Sequence, residues 1–115
     1  MIKVKIGRDT HGMVQEITIT GHAGQGPYGH DIVCAAVSAL SETLVLGLTR
    51  IAPISMDYHL DEGDLSMVFH EAPSEAAQAI IDTFCLGLQD LANTEPKFVQ
   101  YHEHTINRHR SRGRD

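Results

Sequence analysis

Apolar side chains recur along this chain with two different periods, and the switches between them mark its elements. Ile2, Val4 and Ile6 alternate with Lys3 and Lys5, the pattern of a strand with one buried face. Turn residues fill positions 8–12, and residues 13–20 alternate again, with Ile17 and Ile19 set against Glu16, Thr18 and Thr20. These two runs predict a β-hairpin. From Asp31 to about Arg50 the period lengthens. Val33, Val37, Leu40, Leu44 and Leu48 form one stripe at spacings of three and four, which predicts a helix that stops before Pro53. Residues 54–60 and 65–71 return to period two around Asp61-Glu62-Gly63-Asp64, a second hairpin. Ser74 is then a good N-cap, and Glu75 suits the positive end of a helix dipole. Ala77, Ile80, Ile81, Phe84, Leu88 and Leu91 give this second helix a wide apolar face; residues 93–96 end it, and residues 97–104 read as a last strand. The order ββαββαβ predicts an α/β fold of the α+β kind, a mixed or antiparallel sheet with two helices packed on it.

With 115 residues the chain is long enough for one core and one domain. The expected boundaries are a folded unit over 1–107 and a disordered tail over 108–115. Charge sharpens that division. The net charge is −6, but residues 1–107 alone carry −9 and residues 108–115, with four arginines and one aspartate, carry +3. An acidic body argues against a broad nucleic-acid-binding face and leaves weak tethering through the tail as the one nucleic-acid contact. No stretch reads as the roughly 20 apolar residues of a membrane span, so no membrane partner is expected. The alternating start lacks the charged-then-apolar layout of a signal peptide, which makes a cytoplasmic location the expectation. Cys34 and Cys85 lie 51 positions apart without CxxC spacing, and both are expected as free thiols.

The chemistry concentrates in Gly21-His22-Ala23-Gly24-Gln25-Gly26-Pro27-Tyr28-Gly29-His30-Asp31-Ile32-Val33-Cys34. A histidine ends a strand, a cysteine opens a helix, and a glycine-rich loop joins them. With Asp31 as N-cap, Cys34 is the third helical residue, where unpaired N–H groups and the dipole favour a thiolate. His22 is then placed to take the thiol proton, and the N–H groups to hold an oxyanion. On a helical wheel at about 100° per residue, Cys34 falls at the margin of the apolar stripe with Ser38 and Ser41 near it, a polar strip suited to a cleft. The same residues also admit plainer readings. Cys34 between Val33 and Ala35 can be a small core side chain, and His22 a loop residue. The glycines can serve a phosphate cradle, although they fit neither GxGxxG nor a P-loop.

Gly21-His22-Ala23 followed by Asp31-Ile32-Val33-Cys34-Ala35-Ala36-Val37-Ser38 closely resembles the ribosomal-processing cysteine protease (Prp) family, and the likeness runs from the first strand to about residue 105. The resemblance implies His22 as base, Cys34 as nucleophile and Asp31 as a cap or an orienting group. It also implies a homodimer that removes a short N-terminal extension, ending in aromatic residues, from a large-subunit ribosomal protein precursor. No cofactor is implied. The loop from Ala23 to His30 would then be a peptide lid, with Gly21, Ala23, Gly24, Gly26, Gly29 and Ser38 as the substrate-binding set. Two other readings remain open at this point: a non-catalytic ribosome-associated binding protein working through the tail and a sheet edge, and a redox sensor built on Cys34.

Other candidates are weaker. His102 and His104 share one face of the last strand, and His59 and His70 are candidates to meet across the second hairpin. No companion ligand has metal spacing, so no metal is expected. Cys85, between Phe84 and Leu86, reads as core, and the turn at 61–64 is too short for a calcium loop.

Overall fold

The computed structural model describes residues 1–21 and 30–107, with the side chain of His30 excepted. Strands β1 (Ile2–Arg8) and β2 (Val14–Thr20) come first, followed by helix α1 (His30–Leu46). A five-residue π-helical turn, Gly47–Ile51, extends it. Then come β3 (Met56–Asp61), β4 (Asp64–Phe69), helix α2 (Glu75–Thr94) and β5 (Val99–Thr105). The five strands form one sheet in the order β3-β4-β2-β1-β5. β5 runs parallel to β1 while the other neighbours are antiparallel, so the sheet is mixed.

Period two is why the sheet has one buried face. Ile6 pairs with Ile17, Ile17 with Met67, and Val4 with both Ile19 and Tyr101. Because alternate side chains point to opposite faces, these residues all face the helices. They merge with Val33, Val37, Leu44 and Leu48 of the first helical stretch and Ala77, Ile81, Phe84 and Leu88 of α2 in a single core. On the other face Lys3 and Lys5 stay in solvent.

Local chemistry sets the connections. The Asp9 carboxylate accepts from the N–H groups of His11 (2.8 Å) and Met13 (3.0 Å), closing the β1–β2 turn. Glu62 and Gly63, both at positive φ (52° and 89°), make the two-residue turn of the second hairpin. Ser74 caps α2 as expected, its hydroxyl accepting from Ala77 N–H at 3.1 Å; loss of such a cap typically costs about 1 kcal/mol.

Four expectations need correction. The first helix does not stay α-helical to Arg50: its last turn widens, and Ala52 N–H donates to the carbonyl of Gly47, five residues back. Gly47 sits against Ile80, where a Cβ would come within 3.0 Å of Cγ2, so α2 approaches closely at this turn. Second, the stretch Asp31–Ile51 is, by length and mean hydropathy (1.8), long and apolar enough to cross a membrane. Its alanines and its solvent-exposed Ile32, Leu46 and Ile51 raise the mean above what the core stripe needs, while that stripe packs on the sheet. Third, His59 and His70 do not meet: His59 lies opposite Ser66, and His70 pairs with Asp57 at 3.0 Å. Fourth, Ser41 does not extend a polar strip beside Cys34; it is fully buried, its hydroxyl without a hydrogen-bond partner.

Cys85 is core, 3% exposed, and burial pushes its thiol up to about 11. Beside it the Tyr101 hydroxyl donates to Glu103 at 2.6 Å, and Arg8 Nε donates to the same carboxylate at 3.0 Å. These contacts hold the Glu103 carboxyl below the usual carboxylate range, Arg8 contributing most. The tail, 108–115, lies outside the described residues.

Candidate active site

One end of the sheet gathers the start of β1, the end of β2 and the start of β4. One step beyond the Ile19–Leu65 pair brings Thr20 level with Asp64, and Lys3 pairs with Thr20 on the other side. Chain direction explains the grouping: β1 and β4 run up from this end and β2 runs down into it. Cys34 of helix α1 lies near this end as well, within reach of the charges at Met1 and Asp64.

Cys34 lies on α1 half-buried and packed against the core, at the margin of the apolar stripe as the wheel predicts. Counted from an Asp31 cap, the helix begins two residues earlier than expected, at His30. Asp31 is therefore not the cap. It is exposed in the first turn, where the dipole favours its charge. Cys34 becomes the fifth helical residue, and its N–H is directed back to the His30 carbonyl in the i to i−4 pattern. The free N–H groups belong to the residues before it. Ser38, one turn on, is half-buried, as is Gly21 at the end of β2.

The electrostatics also differ from expectation. The Cys34 thiol is held above its ordinary value, by burial first and by the Asp31 carboxylate next; the positive charge at Met1 pulls the other way, and Asp64 adds to the rise. Desolvation and the two carboxylates together outweigh the pull of the Met1 charge. Asp64 and Met1 are thus site neighbours that the sequence pattern did not single out. The signal was available only as strand register, since they lie 30 and 33 positions from Cys34. His22, Ala23, Gly24, Gly26 and Gly29 lie outside the described residues, as does the expected lid up to Gly29; His30 belongs to α1. Among the described residues, no group of three or more His, Cys, Asp or Glu side chains is placed to hold a metal.

The family model described as "Cysteine protease Prp" matches residues 1–100, nearly the whole described unit. The chain belongs to the Prp family of cysteine proteases. It is 35% identical over 94 residues to the ribosomal processing cysteine protease Prp of Staphylococcus aureus strain Mu50, covering 79% of this chain and 88% of that one. The structure of SMU.848 from Streptococcus mutans superposes with a TM-score of 0.79 at 36% identity, covering 92% of this chain and 96% of that one. The S. aureus Prp structure with a covalently linked product peptide gives 0.80 at 28% identity, covering 90% and 100%. A second S. aureus structure, with a substrate peptide, gives 0.78 at 26% identity over the same shares. A Prp-family protein acts on peptides, so this chain is a hydrolase whose partner is a peptide substrate, and the non-catalytic reading falls away.

Proposed function

We propose that this protease removes the N-terminal extension of a large-subunit ribosomal protein precursor, with Cys34 as nucleophile and His22 as general base and acid. The observation that carries the reading is Cys34 itself, half-buried in the opening turns of α1, over the sheet end from which β2 leads into His22. The ribosomal substrate is supported by the activity named for the 35% identical S. aureus relative. That relative's covalently linked product peptide is the kind of adduct a nucleophilic thiol forms.

In this reading His22 takes the Sγ proton as Cys34 attacks the scissile carbonyl, because burial and the carboxylates of Asp31 and Asp64 work against the thiolate. N–H groups of the first turn, at His30, Asp31 and Ile32, stabilise the oxyanion; the N–H of Cys34 is already paired within the helix. The imidazolium then protonates the leaving amine, and the C–N bond breaks to leave a thioester. Water hydrolyses it with His22 as base, and Sγ regains its proton. In this reading Asp31, exposed in the first turn of α1, orients His22. The segment from Ala23 to His30, with Gly24, Gly26 and Gly29, closes over the extended peptide, and Gly21 and Ser38 border it.

The test uses a synthetic peptide bearing the extension and its aromatic end, with cleavage followed by mass spectrometry. Wild type is expected to cut it once, and His22→Ala to lose roughly 10³-fold or more in kcat. Alkylation of Cys34 provides the matching pH measurement. Only the thiolate reacts, so a raised pKa moves the rise in rate to higher pH. In His22→Ala, where burial and the two carboxylates act unopposed by the imidazole, the rise is expected above the ordinary thiol range. In wild type it is expected at lower pH. An uncut peptide, or coincident profiles for the two proteins, would sink the dyad.

The reading takes the protein as a cytoplasmic homodimer. Ile32 (72% exposed), Leu46 (46%) and Leu86 (66%) offer apolar helix surface for a second copy to cover. Light scattering at micromolar concentration is expected to return twice the chain mass, and a monomer mass overturns the dimer.

A further inference from the structure

We propose that Gly21 is a positioning residue of this protease, setting the place of His22 relative to Cys34. The inference rests on the His22–Cys34 dyad. Two features of the described structure carry it.

The first is conformation. Gly21 has φ = 101°, beyond the reach of L side chains without strain. Gly12 and Gly63 also have positive φ, but they close the two hairpins. Gly21 stands where β2 leaves the sheet. A strand continuing past Thr20 in the β2–β4 register would run toward Gly63 and the β3–β4 turn. The positive φ turns the chain off that line at the residue before His22.

The second is space. A Cβ on Gly21 would fall on the carbonyl oxygen of Met1, with the carbonyl carbon 2.9 Å away and Ile2 Cα at 3.1 Å. These are backbone atoms, and they are anchored. Ile2 is fully buried, its N–H donates to the Phe98 carbonyl at 2.8 Å, and it pairs with Val99 in the parallel ladder. The bend is therefore clamped between β2 and the first residues of β1. Cys34 stands over this same end, close enough for the charges at Met1 and Asp64 to act on its thiol. One rigid joint thus relates the strand that carries the base to the ground beneath the nucleophile. The absence of a side chain at Gly21 is what permits it.

Misplacing a reacting group by about 1 Å costs on the order of 100-fold in rate. Gly21→Ala is expected to lower kcat by roughly that factor with KM changed less than about threefold. Its Cys34 alkylation profile is expected to move onto that of His22→Ala. The double variant Gly21→Ala/His22→Ala is expected to be no slower than His22→Ala alone, since both remove the same contribution. Gly12→Ala is the matched control: its φ is 82°, but nothing lies within 4 Å of the new Cβ, so it reports strain alone. It is expected to lower Tm and leave kcat unchanged. If Gly21→Ala does not fold, Thr20→Gly loosens the same joint without adding an atom; about a tenfold loss of kcat with a partly shifted alkylation profile supports the proposal. Wild-type kcat in Gly21→Ala, or in Thr20→Gly where that arm is needed, overturns it. So does a double variant slower than His22→Ala by the full Gly21→Ala factor. Should His22→Ala cleave at the wild-type rate, the dyad fails and the inference fails with it; an inactive His22→Ala beside an active Gly21→Ala removes the inference alone.

Discussion

Cys34→Ser is expected to reduce kcat for cleavage of the extension peptide by at least about 10⁴-fold, with little change in KM or Tm. The substitution exchanges Sγ for Oγ at almost the same size, and the site is half-buried and packed at the margin of the core, so the fold has little to lose. The loss is chemical. A serine hydroxyl is a far weaker acid than a thiol, and an imidazole without a triad built around a serine cannot carry its proton through the attack. Surroundings that already resist the thiolate, by burial and by Asp31 and Asp64, resist an alkoxide more strongly. Cys85→Ser provides the contrast. That thiol is core, on the middle of α2 beside Tyr101, and its replacement is expected to cost stability while leaving kcat in place. Cleavage by Cys34→Ser within tenfold of wild type, measured by single-turnover mass spectrometry, would falsify the nucleophile assignment.

The largest effect on stability is expected from Ile17→Ala, at about 3–4 kcal/mol. Ile17 is fully buried on β2, the central strand of the five, and pairs with Ile6 on one side and Met67 on the other. Strands on both flanks and helices above leave no direction from which the structure can relax into the space. The cavity therefore persists, and its cost adds to the lost transfer free energy. Against a total stability of roughly 5–15 kcal/mol for a domain of this size, that is a large fraction. The shift in Tm is expected to be on the order of 10–15 °C. Lys5→Ala, on the solvent face of the neighbouring strand, should fall within about 0.5 kcal/mol of wild type. Equal melting temperatures for Ile17→Ala and Lys5→Ala in a denaturation experiment would contradict the placement of the core.

The candidate site was legible in part. The Cys34 position at the core margin followed from angles within one helix, and the Ser74 cap from a hydroxyl three residues ahead of its donor. The cap assigned to Asp31 failed because the helix could begin at His30, and no residue type within the glycine-rich segment distinguishes the two starts. The direction of the Cys34 thiol shift was missed for a different reason. It depends on desolvation and on Asp64, and neither has a local signature.

By itself the sequence determined the elements and their order, the buried face of each strand, both hairpins and the α2 cap. All of these depend on side-chain periods and on contacts within about four residues along the chain. The tertiary structure alone decided that β5 lies parallel beside β1, that the helix ends in a π turn against Ile80, and that Ser41 is buried. It also decided that Met1, Gly21 and Asp64 share the sheet end beneath Cys34. These outcomes depend on distant segments competing for the same space and the same backbone hydrogen bonds, which are settled only when the whole core closes.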